Sequence, residues 1–142
     1  MTTGTGEPLL IHIDGASRGN PGEAGFGIAV SAGGRVVAEL YGYLGRATNN
    51  VAEYQALIHA LRFALKRGAR EIRICSDSEL VVRQINGQYR VKHPDMIPLH
   101  AEASSLLRRF DTAQVAHVRR EQNRDADRLA NVALDERASR LD

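Results

Sequence analysis

With 142 residues and 43% hydrophobic side chains, the chain has material for one packed core, within the usual domain range of about 100–150 residues. Its single cysteine, Cys75, excludes an internal disulfide framework and a thiolate zinc knuckle, and no run approaches the roughly 18 apolar residues of a membrane span. A net charge of +2 permits a polyanionic partner without requiring one. Arginine makes up 17 of the 19 basic residues and suits bidentate phosphate contact, although coding bias or thermal adaptation would give the same excess. The first residues, MTTGTGEP, lack the basic-then-apolar layout of a signal peptide, so the expected location is the cytoplasm.

Residues 1–7 read as a loose tail. Residues 9–14, LLIHID, form a short apolar strand that ends on its acid, with a glycine-rich loop behind it. Residues 25–43 hold two β-rich runs joined by Ala32-Gly33-Gly34, a strong hairpin signal. Tyr54, Leu57, Ile58, Leu61 and Leu65 then recur at helical spacing, and Gly68 stops that helix. His59 falls opposite this stripe and is expected in solvent. A strand at 71–75, a short helix ended by Gly87, a loop with two prolines and a second helix follow. A last strand from 113, which contains His117, leads to a last helix from 123. Hairpin-linked strands at the front favour antiparallel pairing and strand–helix–strand units behind favour parallel pairing. The expectation is an α/β domain spanning residues 1–142: one mixed sheet with helices on its faces.

Four acids stand at revealing places, and each also has an ordinary structural reading. Asp14 is an Asp-Gly turn residue at a strand end. Glu53, three residues after Asn50, fits a capping box around that asparagine, yet it shares the helix stripe of Leu57 and Leu61. Asp77 opens a helix, with Ser76 and Glu79 as a capping pair, and Asp127 is an acid in the first turns of the last helix. Taken together they converge, because strand ends and the starts of the helices that follow share one rim of an open α/β sheet. Clustered carboxylates repel unless cations compensate, and oxygen-only donors suit Mg²⁺ or Mn²⁺. This pattern leans toward a metal-dependent nuclease or phosphotransferase.

The blocks IDGASRGNPGEAGFGI, TNNVAEYQALIHAL, ICSDSELVVRQINGQY and HVRREQNRDADRLANVAL resemble, in order, those of type 1 ribonuclease H. The resemblance spans about residues 9–135 and implies a ribonuclease H-like fold with a five-stranded sheet. It implies two Mg²⁺ ions on Asp14, Glu53, Asp77 and Asp127, with Mn²⁺ as a substitute. The expected reaction is endonucleolytic cleavage of the RNA strand of an RNA–DNA hybrid, leaving 5′-phosphate and 3′-hydroxyl ends. It implies hybrid contacts from Gly15, Ala16, Asn20, Asn49 and Asn50, and a DNA-strand phosphate pocket at Thr48. No protein partner is evident, and a monomer is expected.

Two departures from the family pattern stand out. The basic helix-and-loop insertion of many members has no room between Gly87 and Pro98, so binding must rest on scattered arginines. The family's loop histidine is replaced by the short RREQN, where Arg119 or Arg120 offers positive charge near the metals. A non-catalytic hybrid-binding module, or another nuclease on the same fold, are the alternatives. The presence of all four acids argues against the first, and the Thr-Asn-Asn block against the second.

Overall fold

The computed structural model describes residues 7–141, so the expected tail falls outside it except for Glu7. The chain runs β1 (Leu9–Gly19), β2 (Gly22–Ala32), β3 (Arg35–Ala47), α1 (Asn49–Lys66), β4 (Glu71–Ser76), α2 (Glu79–Ile85), α3 (Ile97–Leu107), β5 (Thr112–His117) and α4 (Arg124–Glu136). The sheet order is β3-β2-β1-β4-β5. The first three strands pair antiparallel, while β4 is parallel to both β1 and β5. The Gly33-Gly34 turn joins β2 to β3 with φ of +58° and +79°, a left-handed backbone that glycine adopts without strain.

One expectation about β1 is corrected. The strand does not end at Asp14: it continues to Gly19 because β2 pairs with it along its whole length, down to Gly19 opposite Gly22. The glycine-rich stretch is therefore the end of a hairpin, turned at Asn20-Pro21, and Asp14 lies mid-strand. What does end there is the parallel ladder with β4, whose last pair is Ile13 and Ser76. Asp14 and Asp77 are the next residues on either side of that parting.

Side chains alternate across a strand, and two glycines use this to seat helices on opposite faces. A Cβ on Gly15 would lie 2.3 Å from the Ala52 carbonyl carbon and the Glu53 nitrogen of α1. A Cβ on Gly27, the register partner of Asp14, would lie 2.2 Å from the Ala126 oxygen of α4. The main core lies between the sheet and α1, with Ile11, Ile13, Ile28, Leu57, Leu61 and Ile74 fully buried.

Two polar side chains within this core pair with each other. The Tyr54 hydroxyl donates to Gln84 Oε1 at 2.5 Å, tying α1 to α2, and the ring packs edge-on to His100. Tyr54→Phe removes the donor and leaves a buried acceptor unmet. The expected loss is about 1–3 kcal/mol, read as a lower urea midpoint at unchanged slope. His59 departs from its expected place in solvent. It is half-buried, its ring stacked on Phe26 at 4.7 Å between centroids and its Nδ1 2.9 Å from the Gln55 oxygen. The buried face of α1 is wide because the helix covers β2 as well as β1.

Candidate active site

Thr48, not Asn50, caps α1: its extended backbone precedes the first turn and its hydroxyl oxygen accepts from the Val51 amide at 3.2 Å. That shift of two residues releases Glu53 from capping. Glu53 is 4% exposed, and its Oε1 instead accepts from the Gly15 amide of β1 at 2.9 Å. The close approach that Gly15 permits is what brings this carboxylate to the strand. Likewise the cap of α2 is Ser78, which accepts from the Val81 amide. The expected pair is otherwise engaged: Ser76 Oγ accepts from the Ser78 amide, and Glu79 pairs with Arg83 at 2.8 Å. Asp77 is thus left half-buried between β4 and α2, free of any capping role and turned to Asp14.

Asp14, Glu53 and Asp77 each present a carboxylate oxygen, all within 4.8 Å of one another. Asp127 is exposed, at the start of α4, and stands outside this tight group. It is nevertheless close enough for its charge and a hydrogen bond to act on Asp14. Asp14 is 6% exposed. Burial first, then the charges of Asp77 and Asp127, push its carboxyl up to about 8. Burial, and after it the charges of Asp14 and Asp77, hold Glu53 well above the usual carboxylate range. This donor set fits divalent metal: it offers oxygen ligands alone, and it resists full ionisation until positive charge arrives.

The sign of the pH effect follows. A carboxyl raised in the folded state binds its proton more tightly there than in the unfolded chain. Its stabilisation is complete below the unfolded value near 4 and is lost as pH rises through the folded one. In chelator, the melting temperature of the wild type relative to Asp14→Asn should therefore fall as the pH is taken from about 4 to about 8. A divalent cation should reverse the fall at the upper end. A pH-independent difference between the two proteins would contradict the shift.

The expected contact residues gather beside this cluster. Asn49 Oδ1 accepts from the Ser17 amide at 3.3 Å, and Asn20 Oδ1 accepts from the Asn49 amide at 3.1 Å. These bonds fasten the hairpin tip to the start of α1 and leave both side-chain NH₂ groups without a partner among the described residues. Gly15 is buried, while Ala16, Thr48 and Asn50 are half-buried. Thr48 lines a cleft of about 660 Å³ together with Arg46, Gln55 and Asp95. Arg119 and Arg120 lie exposed around the short 3₁₀ turn Arg120–Gln122 that leads into α4, and among the described residues no ion pair joins them to the acids.

Residues 12–133 match the family model described as reverse transcriptase-like. The bifunctional protein Rv2228c of Mycobacterium tuberculosis is 47% identical over 129 residues, 89% of this chain and 35% of that protein. The crystal structure of RNase H1 from Halobacterium salinarum aligns with a TM-score of 0.88 at 44% identity, covering 91% of this chain and 98% of that one. The structure of LC11-RNase H1 in complex with RNA/DNA hybrid aligns at 0.86 with 38% identity, over 91% and 98% of the two chains. The chain belongs to the type 1 ribonuclease H family.

It spans about a third of the length of the mycobacterial relatives it matches. Within this metal-dependent family it is a form without the basic protrusion. Helix α2 ends at Ile85, and α3 begins at Ile97 with nothing helical between. Two residues beside this site were not singled out in the sequence. Arg46 carried a signal, an arginine two residues before the cap threonine. Gly27 carried none, because its meaning lies in pairing with Asp14 across the β1–β2 ladder.

Proposed function

We propose that this chain is a ribonuclease H that cuts the RNA strand of RNA–DNA hybrids endonucleolytically, leaving 5′-phosphate and 3′-hydroxyl ends. The observation that carries the reading is the cluster of Asp14, Glu53 and Asp77 within 4.8 Å, with Asp127 acting on Asp14 from α4. These four are read as the catalytic acids. When bound there, two Mg²⁺ ions, or Mn²⁺ in their place, supply an activated water and neutralise the charge that develops on the phosphate and leaving oxygen.

The protein's own groups place the substrate. Gly15 and Ala16 let the strand backbone approach closely, and the free amide groups of Asn20 and Asn49, with Asn50 beside them, face sugar hydroxyls and base edges. The 2′-hydroxyl is what distinguishes RNA from DNA at such a site. Thr48 at the N-terminus of α1 receives a DNA-strand phosphate, favoured by the helix dipole and by Arg46 in the same cleft. Arg119 and Arg120 add positive charge on the Asp127 side. The described residues are read as one module carrying the whole site. Contacts of this kind are to backbone, so cleavage should be nearly independent of sequence.

An end-labelled RNA–DNA duplex incubated with Mg²⁺, with Mn²⁺ and with chelator tests the reading. Metal-dependent cleavage of the RNA strand, with single-stranded RNA and duplex DNA spared, is expected. Tight hybrid binding without cleavage in either metal would point to a non-catalytic module instead.

A further inference from the structure

Helix α4, which carries Asp127, is capped by Asn123. An asparagine at that position ordinarily turns its side-chain oxygen onto an amide in the first turn of its own helix. Asn123 makes no such bond, and its φ and ψ of −122° and 26° are not those of an extended cap. The side chain crosses to the sheet, where Nδ2 donates to the Ile13 carbonyl at 2.9 Å. Asn123 is 1% exposed, yet its Oδ1 has no hydrogen-bond partner among the described residues. A buried amide with an unmet acceptor is a poor choice for stability alone. Its placement supplies a reason. Ile13 immediately precedes Asp14, and the Asn123 main-chain oxygen accepts from the Asp127 amide at 3.1 Å. One residue thus joins the backbone beside Asp14 to the backbone of Asp127.

The link serves the acid that stands outside the tight group. Strand pairing and the Gly15–Glu53 bond hold Asp14, Glu53 and Asp77 together. Asp127 sits on a separate helix reached through a three-residue turn. The close contact with Gly27 sets how near α4 lies to the sheet. Ion pairs of Arg128 with Glu39 and of Arg18 with Asp135 also tie α4 to the sheet, but at exposed positions; the Asn123 bond is the buried tie, and it falls on the residue next to Asp14.

We propose that Asn123 is a positioning residue which, through its amide bond to Ile13, holds the Asp127 carboxylate in register with Asp14 and so completes the divalent-cation site. This rests on the four-acid reading above. The test is a double-mutant cycle: Asn123→Ala and Asn123→Leu, each alone and combined with Asp127→Asn. Two quantities are measured for every protein. One is the Mn²⁺ concentration that half-saturates its complex with a hybrid made uncleavable by deoxyribose at the scissile position. The other is the single-turnover cleavage rate and KM on an ordinary hybrid.

Each single variant should weaken Mn²⁺ binding and slow cleavage by about 10- to 100-fold, as is usual for groups that orient metal ligands, with KM for the hybrid unchanged. In the Asp127→Asn background the same changes should add nothing. Asn131→Ala is the control. It removes two exposed bonds, one to the Asp127 carbonyl and one from Arg18 at the far end of β1 from Ile13, and it should leave both quantities unchanged. Wild-type Mn²⁺ binding and rate in the Asn123 variants, or losses that multiply with Asp127→Asn, would overturn the proposal. So would a collapse of melting temperature in both Asn123 variants, because the bond would then serve the whole fold. If Asp127→Asn itself binds Mn²⁺ and cleaves as the wild type does, the four-acid reading fails instead.

Discussion

Asp77→Asn is expected to lower hybrid cleavage by about 10³-fold or more while leaving the protein folded and, in chelator, slightly more stable. Asp77 is half-buried, and its side chain has no capping duty: Ser78 caps α2, and Ser76 supports that cap. Replacement by the isosteric amide therefore removes charge without removing a cap, and it keeps a group able to hydrogen-bond Asp14. The rate loss follows from taking away an anionic oxygen donor at a site where metal contributes several kcal/mol to the transition state, each 1.4 kcal/mol being tenfold. The stability gain follows from electrostatics, since the Asp77 charge helps to raise both Asp14 and Glu53. Single-turnover assays with melting curves in chelator check both halves. Retained cleavage would remove Asp77 from the site. A large fall in melting temperature would mean that the loss of rate reports unfolding.

The second large effect is expected from one methyl group. Gly15→Ala would place a Cβ 2.3 Å from the Ala52 carbonyl carbon and the Glu53 nitrogen. Both neighbours are helix backbone, so no side-chain rotation relieves the clash and α1 must move away from β1. Overpacking of a tight core costs about 1–3 kcal/mol and occasionally more. The same shift stretches the 2.9 Å bond between the Gly15 amide and Glu53 and draws that carboxylate away from Asp14 and Asp77. A displacement of about 1 Å at a reacting centre is worth roughly 10²-fold in rate. We therefore expect lower stability together with a rate loss that persists below the variant's own melting transition. A stable, fully active Gly15→Ala protein would show that Glu53 is not placed by this contact.

The elements themselves were legible because their signals are local. Apolar periodicity marked α1, the Gly33-Gly34 pair marked the β2–β3 turn, and the order of elements implied a mixed sheet. The failures were all of partnership. Asp14 reads as a strand end because glycine follows it, but ten consecutive pairings with β2 carry the strand on to Gly19. Asn50 reads as a cap because Glu53 follows it by three, but the cap is Thr48 and the glutamate's partner lies 38 residues away. His59 reads as solvated because the helix stripe lies opposite, but Phe26 of β2 covers it.

By itself, then, the sequence determined which side chains this protein has to work with: four acids, two amide-rich stretches and the blocks that mark a type 1 ribonuclease H. These are properties of composition and spacing, carried by residues near one another in the chain. Only the tertiary structure decided how the acids meet. Asp14 and Asp77 flank the point where the β1–β4 ladder stops, Glu53 reaches them because Gly15 has no side chain, and Asp127 is tied to Ile13 through Asn123. Each of those placements depends on contacts between residues 37 or more apart in the chain, and no local pattern records them.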